Sequence, residues 1–248
     1  MNNIILLLII SVIGPLLGAI LGIIHYPSKK FMFNMLAFAA GVMLTISFIN
    51  LIPQSVSFSS IIIATIGVAI GSILMYLIDK IIPHIHPEKN LDKINDKDFC
   101  NIKKSSKYIN TALFIHNLPE GMVIALGTIT NNFLGLIIAL AITIQKIPEG
   151  ICIAAPTYYC TKNKFKSFII ACLTLIPLLI GFFIAYFLYQ NLSKTVIGLI
   201  IGITAGFMIY ISTDELIPSS SKQVTHHSTI ISLIIGVLFV LVLNIFII

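Results

Sequence analysis

The chain has 248 residues, 58% of them apolar and only 10% charged, with a mean hydropathy of +1.05. A soluble domain carries about 45–50% apolar and about 25% charged residues, so this composition excludes a water-soluble globule or enzyme. The net charge of +6 comes from 15 lysines against 9 acids; the lysines lie mostly in short polar connections, where they set membrane orientation rather than bind nucleic acid.

Breaking the sequence at its polar clusters predicts spans over residues 4–24, 31–53, 60–82, 109–127, 134–157, 167–189, 196–218 and 229–247. Runs of about 20 apolar residues match a hydrocarbon core roughly 30 Å thick. Lipid offers backbone groups no partners, so each span is expected to be a helix. The predicted fold is an all-α integral membrane protein, a single transmembrane domain over 1–248, with eight transmembrane helices. The first span follows only Met-Asn-Asn, with no basic segment, and reads as a spanning helix rather than a cleaved signal. One connection, residues 83–108, is longer and of mixed charge. Cys100, Cys152, Cys160 and Cys172 show no CxxC spacing, so neither a disulfide frame nor a zinc knuckle is indicated.

With the N-terminus outside, the inside connections hold 13 lysines and the outside ones 1, Lys146 being within a span. The positive-inside rule then places both termini outside, in a multi-pass protein of the cell membrane.

Two internal repeats follow. Residues 40–55, AGVMLTISFINLIPQS, align without gaps on 205–220, AGFMIYISTDELIPSS. HNLPEGMVIA at 116–125 aligns on QKIPEGICIA at 145–154. Each pair lies on spans of opposite direction, so spans 4 and 5 form a central pair flanked by 1–3 and 6–8. This 3 + 2 + 3 inverted repeat is the architecture of transporters with a site near the midplane.

The second repeat carries chemistry. A charge at the bilayer centre costs about 2.5–3.5 kcal/mol even on insertion scales, so Glu120 and Glu149 need a reason. His116 and Gln145 each precede a glutamate by four residues, one turn away on the same helical face. Pro119 and Pro148 remove donors and free the carbonyls of Ile115 and Ile144, while Gly121 and Gly150 permit close helix approach. Two carboxylates, an imidazole and an amide oxygen form a divalent cation site suited to Zn²⁺, with Fe²⁺, Mn²⁺ or Cd²⁺ as further substrates. A polar cluster that merely joins two helices is the competing reading.

The paired turns HNLPEG and QKIPEG resemble the signature of the ZIP (Zrt-/Irt-like protein) family of metal transporters. The Gln of the second turn is similar to the GufA-like bacterial branch. The resemblance spans essentially the whole chain and implies import of zinc or other divalent metals through a mononuclear or binuclear site between helices 4 and 5. It places His116, Glu120, Gln145 and Glu149 at a first metal position, with Met43 also lining it. It places Asn117 at a second, bridged by Glu120 and Glu149. It further implies that Asp214 and Glu215 line the inward exit and that helices 1, 4, 5 and 6 rock against 2, 3, 7 and 8.

The sequence departs from the family where Lys146 replaces the usual Asn or Asp. An ammonium has no acceptor, so Lys146 is expected to supply fixed positive charge beside Glu120 and Glu149 instead of a ligand. One metal per chain is then expected.

Asn50, the repeat partner of Glu215, is expected at the outer entrance, with Ser47 and Ser212 along the same faces. Core packing for Met43 and an interfacial position for Asp214 and Glu215 are the alternatives. His84, His86, His226 and His227 sit in inside connections, as metal-receiving groups or as solvated loop residues. A membrane metallohydrolase is the rival class, but HEXXH is absent and mirrored carboxylates suit symmetric passage better than one-sided catalysis. The partners expected are the lipid bilayer and the transported metal ion, with no nucleic acid and no organic cofactor; a homodimer is left open.

Overall fold

The computed structural model describes residues 2–24, 28–81, 107–130, 132–189, 192–221 and 226–245. Within residues 107–116 only the backbone is described. The described residues form long helices and no strand. Helix α1 covers Asn2–Ile24. Helix α2 runs over Lys29–Thr45, a wide π turn at Ile46–Leu51, and Ile52–Phe58; α3 is Ile61–Ile81 and α4 is Lys107–Thr130. Helix α5 is Asn132–Thr161, α6 is Lys164–Cys172 continued as Leu175–Tyr189, and α8 is His226–Ile245. Helix α7 comprises Lys194–Ile211, a π turn at Ser212–Leu216, and Ile217–Ser221.

Among the described residues, seven helical stretches are long and apolar enough to cross a membrane, and the described part of α4 is not among them. Their outer faces are strongly apolar: Phe165 is 75% exposed, Ile62 68% and Phe187 65%. Apolar patches of this extent are not carried into water by soluble monomers; lipid is their solvent. The helices begin on side-chain caps the hydropathy spans do not register. Ser28 accepts from the Phe31 N–H, Asn163 from Lys166 and Ser193 from Val196, each satisfying a donor left over at a helix start.

Packing repeats as the sequence does. Helix α1 packs chiefly on α5, and α6 on α4; α3 packs on α7, and α8 on α2. Exchanging 1 with 6, 2 with 7, 3 with 8 and 4 with 5 turns each contact into its counterpart. The crossings are built alike. A Cβ on Gly121 would lie 1.9 Å from the Leu178 carbonyl oxygen of α6, and one on Gly150 would lie 2.8 Å from the Pro15 carbonyl oxygen of α1. The two PEG glycines therefore bring α4 and α5 against α6 and α1, not against each other, as small residues do at close helix crossings in lipid.

The π turns were not legible in hydropathy, yet they occupy equivalent repeat positions. The Ile52 N–H bonds the Ser47 carbonyl and the Ile217 N–H bonds the Ser212 carbonyl, each five residues back. Pro53 and Pro218 follow directly. Each proline lacks the donor that the carbonyl four residues back would use, and its ring crowds that turn, so one extra residue widens the helix. A second difference concerns sulfur: Cys160 is disulfide-bonded, although its spacing gave no sign of it, whereas Cys172 is free.

Gly121→Ala tests the crossing. The added methyl cannot be absorbed by a backbone oxygen, so α4 and α6 must part. Thermal unfolding in detergent should show a clear loss of stability, while Ala at Gly127, whose added Cβ would chiefly meet the movable Ile138 Cδ1 at 2.7 Å, should cost less.

Candidate metal site

Helices α4 and α5 each bring one PEG turn to the interior. Asn117 and Glu120 are 0% exposed, Lys146 1% and Gln145 2%; the Glu149 side chain is 17% exposed. Prolines one residue before each glutamate interrupt the i to i−4 ladder at this level, which keeps the turn polar where lipid would otherwise demand closed backbone bonds.

The side chains form one connected cluster. The Gln145 Nε2 donates to Glu120 Oε1 at 2.7 Å. Lys146 lies between the carboxylates: its Nζ is 2.5 Å from Glu120 Oε2 and is also ion-paired and hydrogen-bonded to Glu149 Oε2. The same Nζ donates to Asn117 Oδ1. Asn117 in turn donates from Nδ2 to the Thr174 carbonyl at 3.1 Å, where a turn at Leu173–Thr174 interrupts α6. Lys146 thus does not extend to the surface.

Two acceptors remain. Gln145 Oε1 and Glu149 Oε1 are buried and have no hydrogen-bond partner among the described residues. They lie four residues apart on one face of α5, hence one turn apart. A buried acceptor without a donor costs about 1–3 kcal/mol, so two on one helical face call for a cation or water to satisfy them. His116 lies one turn before Glu120 on the α4 backbone, and its side chain is outside the described residues. Among the described residues no three of His, Cys, Asp and Glu come together; the cluster is two carboxylates, two amides and an ammonium.

The other sequence-derived positions make contacts of their own. Met43 and its repeat partner Met208 are buried in the main apolar core. Ser47 and Ser212 are fully buried, and each hydroxyl donates to the carbonyl four residues back, at 2.8 and 2.7 Å. Asn50 pairs with Asn244 of α8, donating from Nδ2 at 2.8 Å. Asp214 is exposed and Glu215 half-buried, both on the π turn of α7, and the Tyr210 hydroxyl below them donates to Asp79 of α3 at 3.5 Å. His227 is exposed. His84 and His86 are outside the described residues, as is the His226 side chain. Asn244 and Thr174 are contributions that hydropathy and motif spacing did not flag, because each acts through a distant helix.

This is a polytopic α-helical membrane protein with an internal repeat and an ionisable cluster buried between α4 and α5. The family described as ZIP zinc transporter matches residues 1–108 and 95–244, and the chain belongs to that family. It is similar to zinc transporter ZupT of Chlorobium limicola, with 30% identity covering 90% of this chain and 88% of that protein. ZupT of Chlorobaculum parvum is 31% identical over 90% and 89%, and ZupT of Escherichia coli O7:K1 28% identical over 88% and 86%.

The buried ion triad makes a thermodynamic test. Removing one partner of a buried charge pair costs about 3–5 kcal/mol, because the survivor stays buried and uncompensated. Lys146→Met should therefore lower unfolding stability strongly, and adding Glu120→Gln should recover part of the loss. A double-mutant cycle in detergent measures the coupling; near-additive losses would mean the groups do not interact.

Proposed function

We propose that the chain is a divalent-metal carrier, with Zn²⁺ its first substrate and Fe²⁺, Mn²⁺ and Cd²⁺ also accepted. It imports metal into the cytoplasm by alternating access. The observation that supports this reading is the pair of acceptors Gln145 Oε1 and Glu149 Oε1, buried without donors beside the Glu120 carboxylate. The names of the ZupT relatives point the same way.

In this reading Glu120, Gln145 and Glu149 take the ion together with His116, a mixed oxygen and nitrogen set that suits a borderline cation. Two carboxylates supply the charge that offsets the ion's loss of water, and the neutral amide limits how tightly it is held. Asn117 is occupied by Lys146 and Thr174, so the site takes one divalent ion. Met43 is a core neighbour rather than a ligand. The ion arrives past Ser47 and Asn50, and it leaves past Ser212, Asp214 and Glu215, where the inner repeat unit carries acids and the outer one an amide. The eight helices all span, in a 3 + 2 + 3 arrangement, with both termini outside the cell membrane. Helices α1, α4, α5 and α6 move against α2, α3, α7 and α8.

Radiometal uptake by proteoliposomes of the purified chain tests the reading. Glu120→Ala or Glu149→Ala should abolish zinc uptake while the protein still inserts. His116→Ala should cost less and shift preference toward harder ions. Uptake that survives loss of both glutamates contradicts the site.

Orientation is tested separately, in a background without the native cysteines. A cysteine at exposed Ser193 should react with an impermeant thiol reagent from outside, and one at exposed Asn163 only after permeabilisation. The reverse pattern would make the protein an exporter.

A further inference from the structure

The charge arithmetic of the cluster leads further than metal binding. Glu120 and Glu149 carry two negative charges into a region that lipid encloses, and α4 and α5 cannot move through their cycle without carrying them along. When a divalent ion is bound, the pair is neutralised. When it has left, two carboxylates held apart from water would oppose the return movement, since the penalty on a buried charge falls on whichever state lacks a counter-ion.

Lys146 answers that requirement. Its ammonium is tethered on α5 itself, reaches both carboxylates, and is 1% exposed. Asn117 holds the ammonium from α4, and is itself fixed by the Thr174 carbonyl of α6, so three helices of one bundle share its position. Yet Lys146 leaves Gln145 Oε1 and Glu149 Oε1 without donors, so it does not use the acceptors a divalent ion would take.

We propose that Lys146 is the tethered counter-cation of the unloaded carrier: after the metal departs it offsets one of the two carboxylate charges of Glu120 and Glu149, leaving one net negative charge instead of two, and so eases the return step. This rests on the carrier reading above. Two consequences follow from the charge alone. A positive charge a few ångström from the ion also weakens metal binding, so its removal should lower KM; at an effective dielectric of about 20 one unit charge at that distance is worth more than tenfold in affinity. The unloaded return should slow, while the loaded movement, in which the metal supplies the neutralising charge, should not.

Net uptake and exchange separate these steps. Proteoliposomes without internal zinc require the unloaded return for each further ion; vesicles preloaded with unlabelled zinc take up radiozinc by loaded movement in both directions. For Lys146→Met, net uptake should fall by roughly tenfold or more, exchange should persist, and KM should drop. Lys146→Arg, which keeps the charge, should retain much of the net uptake. Lys146→Gln, still able to hydrogen-bond Asn117, gives the same readout if the methionine variant does not accumulate. Net uptake and exchange falling in equal proportion, or neither falling, overturns the proposal. Wild-type protein that carries zinc in neither assay would instead remove the carrier reading on which it stands.

Discussion

Two carboxylates and one ammonium share a space between α4 and α5 that water does not reach freely. Three full charges at that depth tolerate little displacement, because any one of them alone would be uncompensated. The surrounding architecture is what holds them in register. The prolines open the backbone ladder at the level of the glutamates, and Gln145 fixes the free edge of Glu120. Asn117 ties the ammonium to the broken turn of α6.

The internal repeat bears on where such a cluster lies. Glycine crossings seat α4 against α6 and α5 against α1 in the same manner, so the two PEG turns are held equivalently. The repeat of 40–55 on 205–220 involves α2 and α7 instead. The π turns of α2 and α7 fall at matched positions and hold Ser47 and Ser212 in matching hydrogen bonds, but the chemistry has diverged beside them. Asn50 pairs with another amide, whereas its counterpart Glu215 stands near Asp214 and the Tyr210–Asp79 pair. One half thus presents neutral groups and the other acidic ones, an asymmetry laid over a symmetric frame.

Much of this was legible in the sequence, for definite reasons. Apolar runs between lysine-rich breaks mark helices because lipid leaves the backbone no other partner. The two PEG turns stood out because carboxylates are rare inside spans, and the expectation that Lys146 lies beside them followed from its place in the motif that resembles the family's. Other features depend on contacts that no local pattern encodes. The π turns arise from the strain of Pro53 and Pro218 within otherwise regular helices. The Asn50–Asn244 pair joins residues 194 positions apart, and the anchoring of Asn117 on Thr174 requires α6 to break at that turn. Gly121 and Gly150 were rightly read as close-packing residues, but only packing shows that each faces an outer helix.

The central claim is that the acceptors left by this cluster hold the transported ion. An anomalous-scattering map of crystals of the full chain soaked in zinc addresses it without any assay of transport. The account predicts a zinc peak between α4 and α5, bound by Glu149 Oε1 and Gln145 Oε1 and near Glu120, with Lys146 still beside Asn117. A chain whose sole ordered zinc lies elsewhere, with those oxygens bound only by water, would contradict it.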